Sequence, residues 1–175
     1  MPDSEIEHPG FIVETGKICA GWALLEKFTD RILWGVLRVN PTVGAIISAN
    51  KDMTGRWALI VNYSESLVEP DDLKMFRRIK KEVLTIATDR NIAVHGAILV
   101  QGYGKTEKCF AVVTRGLHAE KLNEINVTRM QTILKNIQIV SIEARKLAEK
   151  YHWSIDTPPK EPINLDWAKP IEGFP

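Results

Sequence analysis

Between Asp89 and Gly96 the chain reads DRNIAVHG, so that Arg90, Asn91 and His95 bring a guanidinium, a carboxamide and an imidazole into a single short stretch. Together these groups suit phosphate chemistry. Arginine is always charged and offers a planar fork to phosphate oxygens, histidine exchanges a proton near neutral pH, and asparagine both donates and accepts hydrogen bonds. If the stretch is helical, Asn91 and His95 are four apart and share a face. Arg90 lies seven residues after Val83 and four after Ile86, on the stripe turned toward the core. A guanidinium buried without a partner is prohibitively unfavourable, so Arg90 must pair within the chain or face a cleft. A plainer reading has Asn91 and Gly96 ending the helix while Arg90 or His95 helps cap its last carbonyls. The motif by itself leaves both readings open.

Helices must position these residues. From about Val13 to Val39, Ile18, Trp22, Leu25, Phe28, Ile32, Val36 and Val39 recur at steps of three and four, as on one helix face. Trp34 falls among the charged residues of that segment, where a partner could cover it. A second helix is expected from Asn40, an N-cap followed by Pro41, to about Tyr63. Gly44 and Gly55 weaken it, and WALIV within it could also be a buried strand, making 43–63 a hairpin and the chain an α+β domain. EPDD opens a third helix, with Pro70 in the first turn, Asp71 and Asp72 at the positive end of its dipole, and a buried stripe of Leu73, Phe76, Ile79, Val83 and Ile86. Lys74, Arg77, Arg78 and Lys81 form a basic stripe behind it that reads first as a solvated face. Two β-rich runs around Gly102-Tyr103-Gly104 suggest a hairpin at about 97–115. Thr128 and Gln131 resemble a capping box for a last long helix reaching Tyr151.

In this order, LEKFTDRILWGVL, VGAIISANKDMTGRWALIV and RRIKKEVLTIATDRNIAVHG resemble the helical scaffold of HEPN domains, named for higher-eukaryote and prokaryote nucleotide binding. That family carries an Arg followed by a polar residue, often Asn, and a His after four to six positions. Arg90, Asn91 and His95 match it with four residues between Arg and His. The resemblance spans roughly residues 13–151, mostly as a pattern of helices and apolar positions. It implies an antiparallel bundle that commonly dimerises and brings two motifs into one cleft. In catalytic members the His and Arg cleave RNA without a metal, and Asn91 would orient the substrate or the His.

The totals fit one soluble domain: 175 residues, 45% apolar and 26% charged. A net charge of +1 provides no global attraction to a polyanion. Cys19 and Cys109 suit a reducing cytoplasm and make no disulfide framework. The N-terminus reads neither as a signal peptide nor as a membrane span. His8, His118 and His152 lack partners at metal-ligand spacing, so neither a metal nor a cofactor is expected, and GYGK reads as a turn.

The expected architecture is mainly α: an antiparallel bundle of four principal helices with an inserted β-hairpin and an extended C-terminal tail. The division is a flexible N-terminus at 1–12, a HEPN-like domain at 13–151, and a proline-rich tail at 152–175. Two functions fit. One is a metal-independent endoribonuclease or RNA-binding protein in toxin-antitoxin or phage-defence biology, with RNA and an antitoxin or other protein as partners. The other is a non-catalytic helical interaction protein in which the Arg90, Asn91 and His95 cluster is structural. A cytoplasmic homodimer is expected in either case, with an interface around the first helix and the motif.

Overall fold

The computed structural model describes residues 9–101, 108–114 and 120–151, with side chains described at 10–96 and 124–151. The helices are α1 (Pro9–Leu37), α2 (Pro41–Ala49), α3 (Met53–Ser64), α4 (Pro70–His95) and α5 (Val127–Lys150), and the strands are β1 (Ala97–Gln101), β2 (Lys108–Thr114) and β3 (Glu120–Glu124). The protein is a mainly helical bundle. The expected tail and most of the expected flexible N-terminus lie outside the described residues. Residues 9–12 begin α1, and Phe11 is buried in the core.

Three long helices of 29, 26 and 24 residues, α1, α4 and α5, carry the bundle. They are not uniformly antiparallel. A Cβ added at Gly10 would lie 3.3 Å from Val127, at Gly21 3.2 Å from Ile137, and at Gly35 1.7 Å from the Tyr151 carbonyl oxygen. Contacts that advance together along both helices mean that α1 and α5 run parallel. α4 runs against α5: Asp72 at its start meets Lys150 and Tyr151, Arg78 meets Glu143, and Asp89 near its end meets Arg129.

The expected second helix is in fact two, and this break explains the chain path. α2 starts as the sequence suggests, with the Asn40 side chain accepting from the Val43 amide at 3.0 Å. It stops at Asn50, and Asp52 begins α3 by accepting from the Gly55 amide at 2.7 Å. A short acidic residue with free backbone amides ahead of it caps better than it continues a helix. Residues 41–49 and 53–64 are helical, which excludes the hairpin alternative for 43–63. Val43 and Ile46 are 43% and 68% exposed, because Gly44 and Ser48 face inward instead. Both short helices stay near the end of the bundle where α1 finishes and α4 begins, so the chain reverses there.

α1 ends at Leu37, two residues earlier than expected. The Arg38 amide donates to the Gly35 carbonyl at 3.2 Å and the Val39 amide to the Trp34 carbonyl at 3.1 Å, with Arg38 at φ 52°. This is a Schellman turn with arginine in the left-handed position usually taken by glycine.

At the opposite end β1, β2 and β3 form a three-stranded antiparallel sheet in sequence order, with Leu99 opposite Phe110 and Val112 opposite Leu122. β1 and β2 pair antiparallel inside the stretch expected as a two-stranded insertion at 97–115, and β3 adds a strand beyond it; the residues between β1 and β2, including GYGK, lie outside the described set. The sheet links the end of α4 to the start of α5. There the cap is Asn126, which accepts from the Arg129 amide at 2.8 Å, rather than the expected Thr128 and Gln131 pair.

The core is continuous across the helices. Trp57 of α3 and Phe76 of α4 are fully buried with ring centres 6.3 Å apart, and Tyr151 lies 5.5 Å from Phe76. Each such side chain contributes about 1.5–3 kcal/mol by leaving water. Asp72 fastens this end by accepting from both Lys150 and the Tyr151 hydroxyl. Burial raises the Asp72 pKa, but the hydrogen bonds from Lys150 and Tyr151 and the Lys150 charge together outweigh it and hold the carboxyl below its ordinary value. Burial and the adjacent Asp72 carboxylate both push the Tyr151 phenol upward.

Candidate functional site

Arg90, Asn91 and His95 occupy the last turns of α4 and meet there. Arg90 Nη1 donates to Asn91 Oδ1 at 3.0 Å and lies 2.9 Å from His95 Nε2. A guanidinium has only donors, so a hydrogen bond across this contact requires Nε2 to accept, which the tautomer with its proton on Nδ1 allows. Asn91 and His95 are exposed, whereas Arg90 is half-buried.

The sequence placed Arg90 on the inward stripe, and its surroundings show how that position is accommodated. The guanidinium carbon stands 5.6 Å from the centre of the Trp22 ring of α1, a cation-π arrangement. Its Nε is buried with no hydrogen-bond partner among the described residues. Trp22 is itself almost fully buried, and its indole N–H donates to Glu26 Oε1 at 3.0 Å. Sequence reasoning assigned Trp22 to the apolar stripe and missed its second role as the platform beneath Arg90. No spacing rule links residues 22 and 90 before the helices are packed.

A second residue missed by the sequence is Arg129. It donates to the Glu124 carbonyl at 2.6 Å through Nη1, and its Nη2 is 3.3 Å from Asp89 Oδ1. This bridge holds the start of α5 against the end of α4, one residue from Arg90. The α4 C-cap is Gly96, in extended conformation at φ −71°, so the glycine leads straight into β1 and makes no left-handed turn.

The basic stripe of α4 is largely neutralised. Lys74 pairs with Asp71 at 2.9 Å, Arg77 with Glu65 at 2.9 Å, and Arg78 with Glu143 at 2.7 Å. Trp34, read as a surface awaiting a partner, is covered within the chain. Its indole N–H donates to Ser48 Oγ at 2.9 Å, and its ring fills the space beside Gly44, where a Cβ would come within 2.4 Å. Trp34 and Arg90, the two residues that suggested an interface at the motif, thus both make contacts within the chain.

Among the described residues no group of three or more His, Cys, Asp or Glu side chains could hold a metal ion. His8, His118 and His152 lie outside them. No single described helix is long and apolar enough to cross a membrane. No protein-family model, curated protein or solved structure matches the chain.

Proposed function

We propose that the chain is a HEPN-like protein that binds RNA and cleaves it without a metal ion, with Arg90, Asn91 and His95 as the working residues. The supporting observation is their convergence: one guanidinium nitrogen lies within 3.0 Å of both the carboxamide oxygen and the imidazole nitrogen, at the solvent-facing end of α4. An incoming phosphate competes for Arg90, because a charge-assisted bond to an anion is stronger than one to a neutral nitrogen. Turning to the phosphate, Arg90 releases the Nε2 lone pair of His95. Nε2 then takes the proton of a ribose 2′-hydroxyl while the 2′-oxygen bonds to phosphorus and the bond to the 5′-oxygen breaks. The departing oxygen takes a proton from water, and a 2′,3′-cyclic phosphate remains. Asn91 holds the substrate or the ring in register. Toxin-antitoxin or phage-defence biology, with an antitoxin as partner, follows from the resemblance.

The test is incubation of purified protein with single-stranded and transfer RNA in the presence of a chelator. Cleavage by the wild type and its loss in His95→Ala are expected; no cleavage by the wild type would reject the reading.

A second reading is supported by the Trp22 platform and the buried Arg90 Nε. In it the cluster fastens the end of α4 to α1, and the chain is a non-catalytic interaction protein. Arg90→Ala and His95→Ala would then both lower the melting temperature.

A further inference from the structure

Two cations of α1 are not neutralised as those of α4 are. Lys27 and Arg31 lie four residues apart, both exposed, and neither makes a hydrogen bond or ion pair with another described residue. Like charges at this spacing repel along a helix, and the carboxylates beside them are committed elsewhere. Glu26 accepts from the Trp22 indole at 3.0 Å, and Asp30 pairs with Arg56 of α3 at 3.4 Å. These five residues line one cavity of about 430 Å³, with Ala23 and Trp34 as its first and last residues along α1. That volume falls in the range of small-ligand sites, roughly 300–1,000 Å³. Arg56 is fixed on the α3 side, its Nε donating to the Lys51 carbonyl at 3.0 Å. Trp34 spends its N–H on Ser48 and sets its pyrrole half beside Gly44, yet the residue is only half-buried and walls the cavity.

The cavity adjoins the motif. Trp22 donates to Glu26 and carries Arg90 over its ring. Lys27 and Arg31 follow Trp22 by five and nine residues, which is about 7.5 and 13.5 Å along the helix axis. We propose that the cavity holds a nucleotide of the RNA strand flanking the one at Arg90, with phosphate oxygens on Lys27 and Arg31 and a base against Trp34. Unpaired cations beside an aromatic wall are the combination that holds a single strand: the charges follow its backbone and the ring receives a base. The inference rests on the RNA reading of Arg90, Asn91 and His95, and adds the place where the strand is held beyond them. Lys27 and Arg31 bind substrate and take no part in bond breaking, so their loss acts on affinity and KM.

The test is binding of a 2′-O-methylated single-stranded RNA about ten nucleotides long, which the proposed mechanism cannot cut, followed by fluorescence polarisation across a salt series. The wild type should bind it. Lys27→Ala and Arg31→Ala should each weaken binding by about threefold or more, and each should lower the slope of log affinity against log salt by about 0.7. Arg31→Lys should keep the slope, which counts phosphates neutralised. Ala23→Leu, at an exposed position, fills the cavity without changing charge and should also weaken binding, with helicity unchanged. On a cleavable strand, Lys27→Ala and Arg31→Ala should raise KM and leave kcat unchanged. A wild type that binds through Lys27 and Arg31 but cuts nothing would reject cleavage and uphold this subsite. Cleavage with affinity, slope and KM untouched by both alanine changes would uphold cleavage and overturn the subsite. So would a wild type that fails to bind the strand, or one that binds AMP as tightly as the strand, which would make the cavity a site for a free nucleotide.

Discussion

Replacing Gly35 by alanine should be far more damaging than the same change at Gly16, although both lie in α1. A Cβ at Gly35 would sit 1.7 Å from the Tyr151 carbonyl oxygen and 2.7 Å from its carbon. A carbon and a carbonyl oxygen tolerate roughly 3.3 Å, so the end of α5 must retreat from α1 by about 1.6 Å. That movement would pull Lys150 and Tyr151 from Asp72 and open the Phe76 and Tyr151 ring contact. Overpacking of this kind costs about 1–3 kcal/mol, and the obstacle here is backbone rather than a side chain that can swing away. We take the upper end of that range. Alanine's better helix propensity offsets about 1 kcal/mol, leaving a net loss of about 2 kcal/mol or more. Gly16 has nothing within 4 Å of an added Cβ, so the propensity term stands unopposed and Gly16→Ala should stabilise by up to about 1 kcal/mol. Urea unfolding followed by circular dichroism measures both. Midpoints for the two variants that agree within error would refute the parallel, close-packed pairing of α1 and α5.

Arg38→Gly should raise stability by about 1 kcal/mol, because a left-handed position at φ 52° strains any residue with a Cβ; thermal unfolding measures it. Gly44→Ala should lower stability by about 1–3 kcal/mol by driving α2 off the Trp34 ring, and quenching of tryptophan fluorescence should show the ring becoming accessible. The Asp72 carboxyl is held low in the folded state, so its contribution is complete above its unfolded pKa and is lost as pH falls through the folded value. The Tyr151 phenol is held high, so its contribution is complete below its unfolded pKa and disappears as pH rises beyond it. Asp72→Asn should therefore flatten the acidic limb of a plot of melting temperature against pH, and the alkaline limb only in part, since burial is the larger cause of the Tyr151 shift.

Features set by local chemistry were legible in the sequence. The Asn40 cap, the Pro70, Asp71 and Asp72 helix start, and the stripe of Phe76, Ile79, Val83 and Ile86 all depend on neighbours within two turns. The break at Asp52 was missed because apolar residues continue at helical spacing on both sides, masking a cap that only the Gly55 amide reveals. The end of α1 was missed because Arg38 occupies a place where glycine is the usual signal. The parallel pairing of α1 with α5 depends on which faces meet across about 116 residues of sequence, as Gly21 against Ile137 shows, and no periodicity encodes that. At the site, the inward placement of Arg90 followed from its spacing to Ile86, whereas Trp22 and Arg129 come from other helices and become neighbours only through packing.

The central proposal is metal-independent RNA cleavage by the Arg90, Asn91 and His95 cluster, and analysis of product ends tests it most directly. With chelator present, the wild type should leave 2′,3′-cyclic phosphate ends. His95→Ala should cut about 100- to 10,000-fold more slowly, with an unchanged unfolding midpoint. Products ending in 3′-hydroxyls, or His95→Ala cutting at the wild-type rate, would contradict it.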